Sequence, residues 1–144
     1  MPAGDDVPPA RDPASQDPVP QDIGRIDVGR IGERIARHHL QGKGYRIVDA
    51  NYQCQWGEVD LIARDGPVWV FVEVRARRSA AYGSPEESVT PAKARRLTLT
   101  AQDFLRRRVA DSSNLQWRID LVAIRLGPNR RVLSVNHLEN IVEE

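Results

Sequence analysis

Two β-prone runs, Glu58 to Arg64 and Val68 to Arg75, flank the dipeptide Asp65-Gly66, and this arrangement constrains the chain more than any other feature. Asp-Gly between alternating apolar residues is the strongest short-range hairpin signal, because glycine supplies the positive φ that a tight turn needs. The runs should therefore pair antiparallel. With Arg64 and Pro67 flanking the turn, Glu58 is expected opposite Glu73 and Asp60 opposite Phe71. Alternation then puts Glu58, Asp60 and Ile62 on one face with Trp69, Phe71, Glu73 and Arg75. Val59, Leu61, Val68, Val70, Val72 and Val74 fall on the other.

Three carboxylates and a guanidinium on one face need a counter-charge, since like charges directly opposite destabilise by a few tenths to about 1 kcal/mol. Two readings stand side by side. Arg75 and Arg77 can neutralise the acids as ion-pair partners. A divalent cation can do the same, because Mg²⁺ takes one or two carboxylates together with waters and phosphate oxygens. The valine-rich opposite face favours a rigid support for such a site. Glu33, on the first helical segment, is either a further carboxylate near the hairpin or a solvated residue beside Arg30 and Arg37; Gly29, one turn earlier, marks where backbone can approach closely.

The rest of the chain frames the hairpin. Val28, Ile31, Ile35, Ala36 and Leu40 recur at helical spacing between an N-cap at Asp27 and the stop signals Gly42 and Gly44. Tyr45 to Tyr52 reads as a strand. Beyond a loop containing Gly83 and Pro85, Thr90-Pro91 opens a second helix whose apolar stripe is Ala94, Leu97, Ala101, Phe104 and Leu105, through about Arg108. Trp117 to Leu126 and Arg131 to Leu138 read as strands around Gly127-Pro128-Asn129. The order is α-β-β-β-α-β-β, that of an α/β domain.

Charge is unevenly spread. Residues 1–24 hold six of the ten prolines and five aspartates against one arginine, which reads as a disordered Pro/Asp-rich tail before a domain at 25–144. Removing that local −4 from the chain's +1 leaves +5 on the domain. Nine basic residues against four acidic ones lie between Glu73 and Arg108. Arginine and lysine beside carboxylates are what a phosphodiester substrate requires, whereas a solvated helix face explains the same residues without one. Lys93 and Arg96 project from the first turn of the second helix, off its apolar stripe. Any nucleic-acid binding should be backbone- or shape-directed, because no base-reading motif is present.

No apolar run approaches the roughly 20 residues of a membrane-spanning helix, and no signal-peptide pattern opens the chain. The single cysteine, Cys54, fits a reducing compartment, so a cytoplasmic location without membrane association is expected. His38, His39 and His137 have no partners at metal-ligand spacing, and Trp56, Trp69 and Trp117 are read as core or rim packing.

Gly32-Glu33, the run Gly57-Glu58-Val59-Asp60-Leu61-Ile62, the run Phe71-Val72-Glu73-Val74-Arg75-x-Arg77, then Gly83, Lys93 and Arg118-x-Asp120 form a joint pattern. It resembles the bacterial YraN family of predicted endonucleases over roughly residues 24 to 142. That family is similar to the PD-(D/E)xK nucleases, near archaeal Holliday-junction resolvases. The resemblance implies a restriction-endonuclease-like fold, a mixed β-sheet flanked by helices, and Mg²⁺- or Mn²⁺-assisted hydrolysis of a phosphodiester, in DNA more readily than RNA, with branched or structured DNA as substrate. It implies Asp60, Glu73 and the Val74 carbonyl as metal ligands, with Glu33 and Arg75 as further catalytic residues and Glu58 beside them. Arg77, Arg78, Lys93 and Arg96 would contact nucleic acid, and resolvases act as homodimers. Arg75 stands where the superfamily has lysine: it can stabilise a phosphorane but cannot act as a base. A non-catalytic nucleic-acid-binding module with a degenerate site is the alternative, and Lys93 is a candidate to replace the missing lysine.

Overall fold

The computed structural model describes residues 24–78, 88–111 and 114–142. The expected tail and the loop at Gly83 and Pro85 lie outside them. Helix α1 (Gly24–Gly42) is followed by β1 (Arg46–Cys54), β2 (Gly57–Asp65) and β3 (Val68–Arg78). Helix α2 (Pro91–Arg108) leads to β4 (Gln116–Leu126), a short 3₁₀ turn at Pro128–Arg130 and β5 (Val132–Leu138). The expected element order holds. Helix α1 starts three residues before Asp27, so that aspartate lies inside the helix and does not cap it.

The five strands form one sheet in chain order, antiparallel except where β4 runs parallel to β3. A parallel neighbour needs a crossover, and α2 supplies it. Because β3 is central and covered on both faces, Val70, Phe71, Val72 and Glu73 are buried in succession, as strands of parallel pairs usually are. One core cluster joins Ala36 and Leu40 of α1 to Leu61, Ala63, Val70, Val72 and Val122. The other joins Leu97, Ala101, Phe104 and Leu105 of α2 to Val59, Ile62, Phe71 and Ile119. Among the described residues, no helix is long and apolar enough to cross a membrane.

Two glycines decide local geometry. A Cβ on Gly32 would sit 2.6 Å from the Ala76 Cβ, so α1 lies on β3 only because Gly32 has no side chain. The close-approach glycine is therefore Gly32; Gly29 has nothing within 4 Å. Gly66 adopts φ +61 ahead of Pro67, the pattern of a type II′ hairpin turn.

That turn corrects the expected register. Pairing closes at Asp65 and Val68, with Leu61 opposite Val72 and Ile62 opposite Phe71. Closure at Pro67 would use a residue that has no N–H to donate. The ladder therefore slides one rung: Asp60, and not Glu58, comes level with Glu73, just past the last paired residues. The expected facial alternation also fails at one point. Val59 belongs to the α2-side cluster and Leu61 to the α1 side, so the pleat breaks at Asp60. On β1, the residue between the pairs Ala50/Leu61 and Tyr52/Val59 is Asn51, whose φ is +55.

Candidate active site

Where the β2–β3 ladder ends, the strands part and the Asp60 side chain fills the fork. The backbone N–H of Val74, which has no β2 partner at that rung, donates to Asp60 Oδ2 at 2.8 Å. This bond aims one carboxylate at the next strand and brings it beside Glu73, whose residue is only 4% exposed. Burial first, and the Glu73 carboxylate second, push the Asp60 carboxyl up to about 7. The N–H bond from Val74 opposes that rise, while Glu58 and Glu33 add to it from farther away.

Cations surround Glu73. Lys93 Nζ lies 3.1 Å and Arg75 Nε 3.4 Å from Glu73 Oε2. The Arg75 Nε is buried and within ion-pair distance, yet its geometry makes no hydrogen bond. Lys93 is held by the start of α2, where Thr90 accepts a bond from the Lys93 N–H at 3.2 Å and Pro91 begins the helix. That helix end carries no acidic residue in its first turn.

These groups line a cavity of about 250 Å³ formed by Gly57, Glu58, Asp60, Glu73, Val74, Arg75, Lys93, Arg96 and Leu97. Residues from three separate segments, β2, β3 and the start of α2, thus converge. Glu33 stands outside this lining: it accepts a hydrogen bond from Asn51 Nδ2 at 3.1 Å and reaches Asp60 only through space. Arg77 and Arg78, at the exposed end of β3, are not part of the lining. Trp56 is 41% exposed, against the expectation of packing.

The donor set suits a hard divalent cation. Two carboxylates and the Val74 carbonyl are oxygen donors, the ligand class Mg²⁺ and Mn²⁺ prefer, and burial and the neighbouring Glu73 hold the Asp60 carboxyl raised. Among the described residues no three Asp, Glu, His or Cys side chains are gathered at metal-holding spacing.

A second polar cluster had escaped sequence reasoning. Asp120, fully buried on β4, accepts from His137 Nε2 at 2.8 Å, the Asn140 N–H at 2.9 Å and Arg118 Nε at 3.0 Å. Arg118 also donates to the Tyr45 hydroxyl at 2.6 Å, and Lys43 Nζ lies 2.8 Å from His137 Nδ1. This network ties β4, β5 and the α1–β1 junction together on the α1 side of the sheet. The motif Arg118-x-Asp120 was its one trace in the sequence; His137 had no visible partner because the contact is made only by folding.

Comparison with known proteins places these residues in a family context. Residues 32–124 match the model of an uncharacterised protein family, UPF0102. A UPF0102 protein of Syntrophus aciditrophicus is 45% identical over 98 residues, 68% of this chain and 76% of its own length. One from Geotalea uraniireducens is 42% identical over 112 residues, covering 78% and 86%. A third, from Caldicellulosiruptor saccharolyticus, is 39% identical over 109 residues, covering 76% and 91%. The matched segment contains every residue of the cavity.

Proposed function

The chain belongs to the UPF0102 family, the YraN family its motifs resemble, and from that premise we propose that it is a metal-dependent endonuclease hydrolysing phosphodiester bonds in branched or structured DNA. The observation that carries the reading is the fork itself: a buried carboxylate pair, Asp60 and Glu73, edged by Arg75, Lys93 and Arg96 in one open cavity. Glu73 is ion-paired to Lys93 and Arg75, whereas the Asp60 carboxyl beside it takes the Val74 N–H and stays raised by burial and by Glu73.

Asp60, Glu73 and the Val74 carbonyl would hold Mg²⁺ or Mn²⁺. Such an ion, when bound, would neutralise phosphate charge and make water a competent nucleophile near neutral pH. The Val74 N–H fixes the rotamer of Asp60, so this ligand is oriented before substrate arrives. Arg75 keeps its charge at every physiological pH and serves as an electrostatic clamp on the phosphoryl oxygens, not as a base. Lys93 enters from the opposite wall at the position a lysine on β3 would otherwise serve. Arg96 lies farther along α2 and binds the backbone, which makes recognition salt-sensitive and indifferent to base sequence. DNA is the favoured substrate over RNA, acted on in the cytoplasm and by a homodimer, as in the resolvases.

Cleavage of a panel of branched and linear DNAs with Mg²⁺ or Mn²⁺ tests the reading, comparing wild type with Asp60→Ala. Metal-dependent cleavage that disappears in Asp60→Ala is expected. A wild type that shows neither metal binding by calorimetry nor cleavage would sink it. Arginine at position 75 favours one second reading, a nucleic-acid-binding module with a degenerate nuclease site. That module would bind DNA without metal, and its binding would survive Asp60→Ala.

A further inference from the structure

Among the described residues, the large apolar side chains with high exposure are Trp56, Val132 and Leu133. The last two belong to the edge strand β5; Trp56 stands next to the cavity, one residue before Gly57 and two before Glu58, both of which line it. The pairing of Cys54 with Gly57 leaves Gln55 and Trp56 as a two-residue turn between β1 and β2. That turn is firmly seated. The Trp56 N–H approaches Cys54 Sγ at 3.4 Å, and Gly57, at φ +146, rests on α2 so closely that a Cβ there would lie 3.5 Å from Thr100 Oγ1 and 3.7 Å from the Arg96 Cβ. An indole left 41% exposed on a seated turn, next in sequence to a cavity that carries Arg75, Lys93 and Arg96 beside its acids, is poorly explained by packing. It matches the chemistry of a nucleobase platform, where an aromatic face stacks a base while basic groups track its phosphate.

We infer that Trp56 stacks an unpaired nucleobase beside the scissile phosphate, so that the substrate class is nucleic acid with an unstacked base at the cleavage point, as at a gap, flap or junction. The inference rests on the nucleic-acid reading above and deepens it. In an uninterrupted duplex each base is already stacked between neighbours, and exposing one to the indole would have to overcome that stacking. Where the strand is interrupted, most of that cost has already been met by the substrate.

The test uses the full chain in chelator, with a duplex carrying 2-aminopurine at a one-nucleotide gap and the matching uninterrupted duplex. The wild type is expected to prefer the gapped duplex and to quench the 2-aminopurine. Trp56→Ala should lose that preference by about tenfold and abolish the quench. Trp56→Phe should keep part of both, and all three proteins should bind the uninterrupted duplex alike. An unchanged preference and quench in Trp56→Ala would overturn the inference. So would a loss of self-association in Trp56→Ala with gap binding intact, which would assign the indole to a contact between copies. Cleavage is scored separately in Mn²⁺: no cleavage by the wild type with Trp56-dependent gap binding removes the nuclease reading alone. Cleavage of both duplexes that is indifferent to Trp56→Ala removes the stacking inference alone.

Discussion

Lys93 Nζ sits 3.1 Å from Glu73 Oε2, although the two residues come from different elements, the first turn of α2 and the middle of β3. The ammonium therefore occupies the ground where a cation would be held, and it is also the lysine nearest the site that can replace the one missing at position 75. These two roles predict opposite signs for two measurements on one variant.

Lys93→Gln removes a positive charge from beside Glu73. Mn²⁺ affinity, read by calorimetry, should rise by about tenfold, equivalent to about 1.4 kcal/mol. Cleavage should fall by about a hundredfold or more, the scale of losing one group that stabilises developing charge. If Lys93→Ala cleaves as the wild type does, Lys93 has no part in the mechanism.

Asp60 gives a pH signature without substrate. Its carboxyl is raised from 3.8 in the unfolded chain to about 7 by burial and by Glu73. A raised acid binds its proton more tightly when folded, so Asp60's own contribution to stability in chelator is full below about pH 4 and is lost as pH rises to about 7. Asp60→Asn, which keeps the shape and an acceptor for the Val74 N–H, should remove that decline. The variant's advantage in urea denaturation should grow between pH 4 and 7 and level off at about 2–4 kcal/mol. Equal stability of the two proteins at pH 8 would contradict the buried, like-charged environment. If Asp60 and Glu73 hold the proposed ion, added Mn²⁺ should reverse the order, because Asp60→Asn removes one of the two carboxylates.

Much of this site was legible because hairpin and helix patterns are local. The Asp65-Gly66 signal, the Thr90-Pro91 cap and the 3.6-residue stripe of α2 each depend on neighbours in sequence. Those patterns brought Asp60, Glu73 and Lys93 to the right elements. The register was not legible to the residue, since Asp65-Gly66 and Gly66-Pro67 both read as turn centres; the missing N–H of Pro67 settles the matter in the fold. Nor was the break in alternation at Asp60, which depends on Asn51 of the neighbouring strand and on where the β2–β3 ladder stops. Asp120 and His137, 17 residues apart, meet only because β5 folds back on β4.

Gly32 and Gly29 share a helix and separate two effects of glycine. A Cβ at Gly32 would collide with Ala76 at 2.6 Å, backbone-borne carbon against backbone-borne carbon, so Gly32→Ala must push α1 away from β3. A loss of about 1–3 kcal/mol is expected in thermal or urea unfolding. Gly29 has open space around it, and Gly29→Ala should be neutral or stabilise by up to about 1 kcal/mol through helix propensity. Because α1 also carries Glu33 to Asn51, Gly32→Ala should weaken that hydrogen bond as well, whereas Gly29→Ala should leave it intact. Equal effects at the two positions would show that α1 does not rest on Ala76.

Asp120 titrates in the opposite sense to Asp60. Burial alone would raise its carboxyl, but hydrogen bonds from His137, the Asn140 N–H and Arg118 outweigh it and hold the group below the ordinary carboxylate range. A depressed acid stabilises the fold above its unfolded value of 3.8, and that stabilisation is lost as pH falls through the lower folded value. The wild type should therefore lose stability steeply below about pH 4, and Asp120→Asn should flatten this acid limb while lowering stability at pH 7. Asp120→Ala goes further, because it strands the mostly buried Arg118 and leaves the His137 Nε2 without its acceptor. A loss of about 3–5 kcal/mol at pH 7 is expected, the range for breaking a buried ion pair from one side. Since the cluster lies on the α1 side of the sheet and the fork opens beside α2, any folded fraction of Asp120→Asn should bind Mn²⁺ with wild-type affinity. A loss of metal binding in the folded variant would show instead that β4 transmits strain across the sheet to Glu73, its neighbour through the Leu121 pairing.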